Sequence, residues 1–339
     1  MEKINFKNLK KPYIIAEIGG NHGADIGIAK KGILNAKRAG ANCVKFQMYR
    51  HDSIVHPNLK ILPHVKKIAK EKTQSERFKK LELSEKDIIN LYNETRKNKI
   101  NFAVTPFSVD FVKFLSRYVC FFKVASGDLD YFPMIEEIAK CKKDIIISTG
   151  MSNIKKINET LKILRKNQVI LLHCISSYPT KSSELNLNSI DYLKKKIKLE
   201  IGLSDHTSGN IGSLVAIGKG VKVFEKHFLP VSSIRKVGDY DLSLNPKEMK
   251  IYCDQIREAY QSLGFLKKEI FKSEKKFYNN LCRSIYFSKN VKKNTIINID
   301  DLKFIRPYNS QGIKIKDYKK IIGKKAKKNF KKFEKVKKI

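Results

Sequence analysis

Eight short runs of β-branched and aromatic residues recur through the first 230 residues, and stretches of helical period separate most of them. The runs cover residues 13–18, 43–49, 101–105, 120–125, 144–148, 169–175, 199–203 and 221–227. Between them, 28–39 is amphipathic and stops at Gly40. The stretch 84–97 opens on Ser84-Glu85-Lys86-Asp87, a capping serine with acids in the first turn, and 152–165 is a third helical stretch. Eight such strands predict an α/β fold, a (β/α)8 TIM barrel. An open doubly wound sheet is the structural alternative, but no GxGxxG follows the first run, which weakens a dinucleotide reading. A chain of 339 residues has room for a large barrel and a small second domain.

A parallel barrel gathers the C-terminal ends of its strands at one mouth, and polar residues crowd those ends here. Glu17, Asn21 and His22 end or follow the first run, Lys45 and Gln47 lie on the second, and Thr105 closes the third. Lys123 and Ser126 lie on and after the fourth, Ser148 on the fifth, and Ser176 and Tyr178 after the sixth. Ser204 and His206 follow the seventh, and Glu225 and His227 lie on the eighth. Side chains two apart on a strand face the same way, so Lys45 pairs with Gln47, Ser204 with His206, and Glu225 with His227. Lysines inside apolar strands are rare without a partner, which makes Lys45 and Lys123 informative. A lysine snorkelling at a strand rim is the structural alternative for each alone. Two cations among hydroxyls suit a small substrate bearing carboxylate and phosphate. Two imidazoles on neighbouring strands, each beside an acid (Asp205, Glu225), can share a divalent metal and leave positions open for substrate.

Other classes fit less well. No apolar run reaches the roughly 18 residues of a membrane span, and the segment Met1-Glu2-Lys3-Ile4-Asn5-Phe6 has no signal-peptide pattern. The six cysteines show no CxxC spacing and read as reduced core thiols of a cytoplasmic protein. The formal charge of +37 raises a polyanion partner, but the lysines spread over helix-like segments. About half of the excess lies beyond Gly264, in a lysine-rich tail. With no RNP-type motif and no zinc-finger spacing, neither nucleic acid nor membrane is expected as a partner.

The ordered motifs carry more. They run Ala16-Glu17-Ile18-Gly19-Gly20-Asn21-His22, Val44-Lys45-Phe46-Gln47, Thr105-Pro106-Phe107-Ser108, Lys123-Val124-Ala125-Ser126-Gly127 and Ser148-Thr149-Gly150-Met151. Leu172-His173-Cys174, Tyr178-Pro179-Thr180, Gly202-Leu203-Ser204-Asp205-His206-Thr207 and Glu225-Lys226-His227-Phe228 follow. This set resembles the sialic acid synthase family, whose members condense phosphoenolpyruvate with an N-acetylated aldose to make nine-carbon 2-keto sugar acids. Arg283-Ser284-Ile285-Tyr286, the stretch 290–297 and Arg306-Pro307 are similar to the family's C-terminal antifreeze-like SAF domain. The resemblance divides the chain into a barrel at 1–264, a linker at 265–278 and a small β-rich antifreeze-like domain at 279–339. The glycine common in that domain's last motif is replaced within Lys331-Lys332-Phe333-Glu334.

The resemblance implies the roles. His206 and His227 hold Mn²⁺ (or Mg²⁺), which polarises the sugar aldehyde. Lys123, Ser126, Ser148, Ser176 and Ser204 hold phosphate, and Lys45 and Thr105 hold carboxylate. Glu17 or the metal orients the water that adds at C2. Gln47, Tyr178, Asp239 and Arg306 orient the acetamido sugar, with Arg306 reaching the partner's barrel in a domain-swapped homodimer. The family's Gly-Pro-Asp segment is replaced by Arg235-Lys236-Val237-Gly238-Asp239-Tyr240-Asp241, so Asp239 is the match and Asp241 its rival. The acceptor is N-acetylmannosamine or a diacetamido-trideoxy relative leading to legionaminic or pseudaminic acid. Rival readings are a synthase acting on a sugar phosphate, which needs a further basic cluster, and a non-catalytic polyanion-binding protein using the tail.

Overall fold

The computed structural model describes residues 4–63, 65, 66, 68–234 and 238–337. The readings above that fall on Met1, Glu2 and Lys3, and on Arg235, Lys236 and Val237, lie outside the described residues. The chain forms two compact units, Met1–Gly264 and Phe265–Ile339.

The first unit is a closed barrel of eight parallel strands, taken up in chain order: β1 Tyr13–Glu17, β2 Cys43–Met48, β3 Asn101–Pro106, β4 Phe122–Val124, β5 Ile145–Ser148, β6 Val169–Cys174, β7 Glu200–Asp205 and β8 Val223–His227. Around it run α1 Ile26–Ala39, α2 His51–Ile54, α3 Gln74–Leu81, α4 Glu85–Lys97, α5 Val109–Leu115, α6 Phe132–Lys140, α7 Ile154–Ile163, α8 Asn188–Lys196, α9 Ile211–Gly218 and α10 Pro246–Ser262. The helix starts follow local chemistry. The Asp25 carboxylate accepts the Ile28 N–H at 3.0 Å, and Ser84 and Asp87 form a reciprocal capping box. No helix among the described residues is long and apolar enough to cross a membrane.

All eight strands shift by a residue or more at one end or both, and two differ most from the sequence reading. Cys120 and Phe121 precede β4 rather than belonging to it, while Phe121 still packs into the barrel floor. Strand β7 continues through Ser204 and Asp205, whose polar side chains break the apolar pattern but pair in register with Glu225 and Lys226. The interior is layered. Tyr13, Ile15, Cys43, Ala103, Phe121, Ile146, Ile170, Leu172 and Val223 fill the floor, and Phe6 plugs it from below. A second apolar layer lies between the strands and the helices. Gly202 is required in this packing, since a Cβ there would lie 2.4 Å from Leu172 Cδ2 and 2.6 Å from the Val223 carbonyl. The next inward position is polar on seven of the eight strands (Glu17, Lys45, Thr105, Lys123, Ser148, Ser204 and Glu225) and is Cys174 on β6, and these residues build the site.

The second unit begins in the segment read as a linker. That segment carries helix α11, Lys272–Leu281, whose first turn is closed by the Phe271 N–H donating to Glu274 at 2.8 Å. Strands β9 Ser284–Phe287 and β10 Leu302–Ile305 pair antiparallel. Isolated bridges such as Val291↔Phe330 and Tyr286↔Lys335 knit the rest, over a small core in which Phe287 stacks on Phe330 at 4.4 Å. Phe333 stands where the last motif loses its glycine, and its φ is +64°. An L-residue pays about 1–2 kcal/mol there. Phe333→Gly is therefore expected to stabilise this unit by roughly 0.5–1 kcal/mol after the entropy of the added glycine. Denaturant midpoints of the two chains check this, and a lower midpoint for the variant would refute the strain.

Candidate active site

Strand register brings the polar positions face to face. Glu17 stands opposite Lys45 and His227, Gln47 opposite Thr105, and Ser204 opposite Glu225. The result is a buried charge network. Lys45 Nζ lies 2.7 Å from Glu17 and 3.7 Å from Glu225, and it donates to Thr105 Oγ1 at 3.1 Å. Gln47 Nε2 donates to the other Glu17 oxygen at 2.7 Å. Lys123 Nζ donates to Ser148 Oγ at 2.7 Å and lies 3.4 Å from Glu225, which also accepts from Ser204 Oγ at 2.9 Å.

The two lysines differ electrostatically. Burial opposes the charge on Lys45, but Glu17 and Glu225 outweigh it and raise its affinity for the proton. Burial dominates at Lys123: Glu225, its one ion-pair partner among the described residues, does not offset it, Lys45 repels it, and its pKa falls. Burial alone would raise the Glu225 carboxyl, yet Lys123, Lys45 and the Ser204 hydroxyl hold it well below the ordinary glutamate range.

A cluster of hydroxyls gathers beside this network. Ser126 Oγ accepts the Gly150 N–H at 3.0 Å, and Ser176 Oγ is buried with no hydrogen-bond partner among the described residues. A Cβ on Gly150 would lie 2.3 Å from Ser176 Oγ and 2.9 Å from Ser126 Oγ, so only glycine lets the three meet.

His206 and His227 face each other with ring centroids 5.2 Å apart, and Tyr178 packs on His206 at 4.4 Å. The His206 Nδ1–H points to the Ile175 carbonyl at 2.8 Å, which leaves Nε2 as a lone-pair donor. His227 Nδ1 is buried, has no hydrogen-bond partner among the described residues and lies 3.4 Å from Asp239 Oδ2. Among the described residues no three His, Cys, Asp or Glu side chains converge into a closed cage. Two imidazoles with nearby carboxylates fit a hard divalent cation that keeps open positions, and do not fit structural zinc.

Of the residues predicted for the site, Glu17, Lys45, Gln47, Thr105, Lys123, Ser126, Ser148, Ser176, Tyr178, Ser204, His206, His227 and Asp239 all line one cavity of about 520 Å³. Asp241 is exposed in the turn beyond it. Arg306 lies in the second unit, exposed after β10. Asn21 and His22 have other work. Asn21 Nδ2 donates to the Phe228 carbonyl and to Ser243, tying the β1 and β8 loops together. Glu225 was noted only as the neighbour of His227, yet it joins both lysines. The cavity also includes Tyr49, at the end of the second run, and Arg77, which sequence reasoning passed over because α3 lies in a long excursion after β2.

The chain matches the NeuB family over residues 32–268 and the SAF domain over 283–332. It belongs to the NeuB family. The N,N'-diacetyllegionaminic acid synthase of Campylobacter jejuni is 38% identical, over 96% of this chain and 99% of that one. A pseudaminic acid synthase of the same species is 34% identical, over 96% of this chain and 95% of that one. The solved N-acetylneuraminic acid synthetase of Leptospira borgpetersenii superposes with a TM-score of 0.72 at 30% identity, covering 81% of this chain and 94% of that one.

Behind the NeuB-family site, the outward faces of β7 and β8 carry a second buried pair. Lys226 lies 3.5 Å from Asp205, both fully buried, and donates to the Thr207 carbonyl. Asp205 also accepts from the Thr207 N–H and hydroxyl at 2.8 Å and from Ser213 at 2.7 Å.

His22 makes a pH prediction. Burial lowers its pKa to about 4, and its Nδ1 accepts the Ala24 N–H. An unfolded histidine titrates near ~6.5, so below that pH the unfolded chain binds the extra proton. Stability is expected to fall as the pH drops from about 6.5 toward 4. The difference in urea midpoint between the native chain and His22→Gln should shift against the native chain over that window. A pH-independent difference would contradict the neutral buried imidazole.

Proposed function

We propose that this protein is a nonulosonic acid synthase that condenses phosphoenolpyruvate with an N-acetylated aldose, such as N-acetylmannosamine, and releases inorganic phosphate. One observation carries the reading. Two buried lysines, each already held by carboxylates, stand among Ser126, Ser148, Ser176 and Ser204 in the same cavity as two facing histidines.

A substrate with carboxylate and phosphate exchanges places with Glu225 as the partner of these cations. Lys123 and the four serines receive the phosphate, and Lys45 with Thr105 receives the carboxylate. The acceptor sugar then lies toward Gln47, Tyr178 and Asp239, with its aldehyde near His206 and His227. Those two imidazoles would hold Mn²⁺ or Mg²⁺, which supplies Lewis-acid polarisation of the aldehyde when bound. The C3–C1 bond forms as the enol π-electrons of phosphoenolpyruvate attack the aldehyde carbon, leaving C2 electron-poor. The aldehyde oxygen takes up those electrons and a proton to become a hydroxyl; water adds at C2 and gives its proton to Glu17, which lies 2.7 Å from Lys45 and accepts from Gln47. Cleavage of the C2–O bond then expels phosphate and leaves the 2-keto acid.

Arg306 completes the acceptor site of a partner in a swapped homodimer. Phe265, Leu266, Ile270, Phe271, Phe277 and Leu281 support a partner contact, since all six are at least half exposed within 17 residues at the start of the second unit.

The test is phosphate release and product mass with phosphoenolpyruvate, Mn²⁺ and a panel of N-acetyl hexoses. Lys123→Ala is expected to lower kcat/KM for phosphoenolpyruvate by about 10²-fold or more, the scale of a buried cation–phosphate contact. No phosphate release with any acceptor, or an unchanged kcat/KM in the variant, sinks the assignment.

A further inference from the structure

The residue that follows His206 is tied to the residue that precedes His227. Lys226 Nζ donates to the Thr207 carbonyl and lies 3.5 Å from Asp205 Oδ1, its register partner across β7 and β8. The same Asp205 oxygen accepts the Thr207 N–H and hydroxyl, each at 2.8 Å, so the chain turns around one carboxylate with His206 inside the turn. The other oxygen accepts from Ser213 on α9 at 2.7 Å, and Ser213 in turn accepts from Tyr252 on α10 at 2.9 Å. On its other side His206 is held by the segment after β6. Its carbonyl accepts the Thr180 N–H at 2.9 Å, and its ring bonds the Ile175 carbonyl. Asp205, Lys226 and Thr207 are not among the described residues that line the cavity.

We infer that Asp205 and Lys226 are positioning residues, a clamp that sets the separation and the directions of His206 and His227 and so the affinity of the two imidazoles for a divalent cation. The inference rests on the synthase reading above, in which those imidazoles hold the cation. Stability is a poor reason for the pair. A buried ion pair gains little over apolar side chains of similar volume, because desolvation offsets the attraction. The neighbouring outward positions of these strands, Ile201, Leu203 and Phe224, are apolar and pack in the layer under the helices. The charges therefore stand where the packing least needs them, one step in sequence from each histidine. What they add is direction, since hydrogen bonds constrain angles and apolar contacts do not. Ligands already held in place lose little freedom when the cation arrives, so a looser turn weakens binding.

The experiment strips the full chain with chelator and titrates it with Mn²⁺, reading free Mn²⁺ by electron paramagnetic resonance. The native chain is compared with the double variant Asp205→Asn/Lys226→Met, which has neither charge but keeps an acceptor for Thr207 and Ser213. The double variant is expected to fold and to bind Mn²⁺ about 10- to 100-fold more weakly, the scale on which groups behind metal ligands act. Its kcat at limiting Mn²⁺ should fall and added Mn²⁺ should restore it, while the phosphoenolpyruvate KM at saturating Mn²⁺ stays unchanged. A purely structural pair would move the denaturation midpoint and leave Mn²⁺ affinity alone. Thr207→Val removes one hydroxyl contact, leaves both charges and is the milder change. Its Mn²⁺ affinity should fall by about 2- to 10-fold, up to the worth of one hydrogen bond. Native Mn²⁺ affinity in the folded double variant, or in Thr207→Val where the double variant does not fold, overturns the inference and leaves the synthase reading standing. A native chain that binds no Mn²⁺ overturns the two-histidine reading itself, and this inference falls with it.

Discussion

Glu225→Ala is expected to abolish synthase activity and to destabilise the barrel by about 3–5 kcal/mol, the cost of removing one partner from a buried ion pair. Lys123 loses its nearest carboxylate, Lys45 loses one of two, and the Ser204 hydroxyl loses its acceptor. Ser204→Ala, which removes a single hydrogen bond, should cost only about 1 kcal/mol and serves as the scale. The pH dependence carries its own signature. Because the folded Glu225 carboxyl is depressed below its unfolded value, its stabilisation is present above the unfolded glutamate pKa of ~4.3 and fades as the pH falls through the lower folded value. The gap between native and Glu225→Ala denaturation midpoints should therefore be widest near neutrality and narrow in acid. A variant as stable as the native chain at pH 7 would show that the lysines are held by something other than Glu225.

The second large effect concerns the histidines and the second unit together. His206→Ala and His227→Ala are each expected to lose turnover with fold retained, and chelator should inactivate the native enzyme until Mn²⁺ is restored. Arg306→Ala should be nearly inert for a different reason, the loss of an acceptor contact. If Arg306 serves the neighbouring barrel, co-refolding His227→Ala with Arg306→Ala creates one working site in each mixed dimer. That site joins the intact histidines of the second chain to the arginine of the first. Mixtures that dimerise but stay inactive would mean that Arg306 does not act in trans.

The barrel was legible because its signal is local. Each strand is a short apolar run, and the alternation of strand and helix leaves few topologies. The mouth was legible for a similar reason, since Lys45, Gln47 and His227 lie on strand positions whose direction follows from a period of two, and His206 follows the last residue of β7. What was not legible depends on closure. Glu225 could be seen two residues before His227, but its link to Lys123 exists only because β8, β7 and the strands beyond them close on one another. The extra length of β7 was hidden because Ser204 and Asp205 are polar, and their partners lie on β8, some twenty residues away. Arg77 sits on a helix of mixed polarity far from any motif, and only the folded excursion returns it to the mouth. Helix α11 hid inside a charged run that read as a linker.

The paired charges on both faces of β7 and β8 bear on how this gene can change. In most barrel strands an insertion of one residue moves apolar side chains between two apolar environments. Here it would turn Glu225 and His227 toward the helices and Lys226 into the mouth, breaking the Lys123–Glu225 and Asp205–Lys226 pairs in a single step. Length variation among viable descendants of this chain is therefore confined to the loops, and Glu200–Asp205 and Val223–His227 should pass through evolution as ungapped blocks.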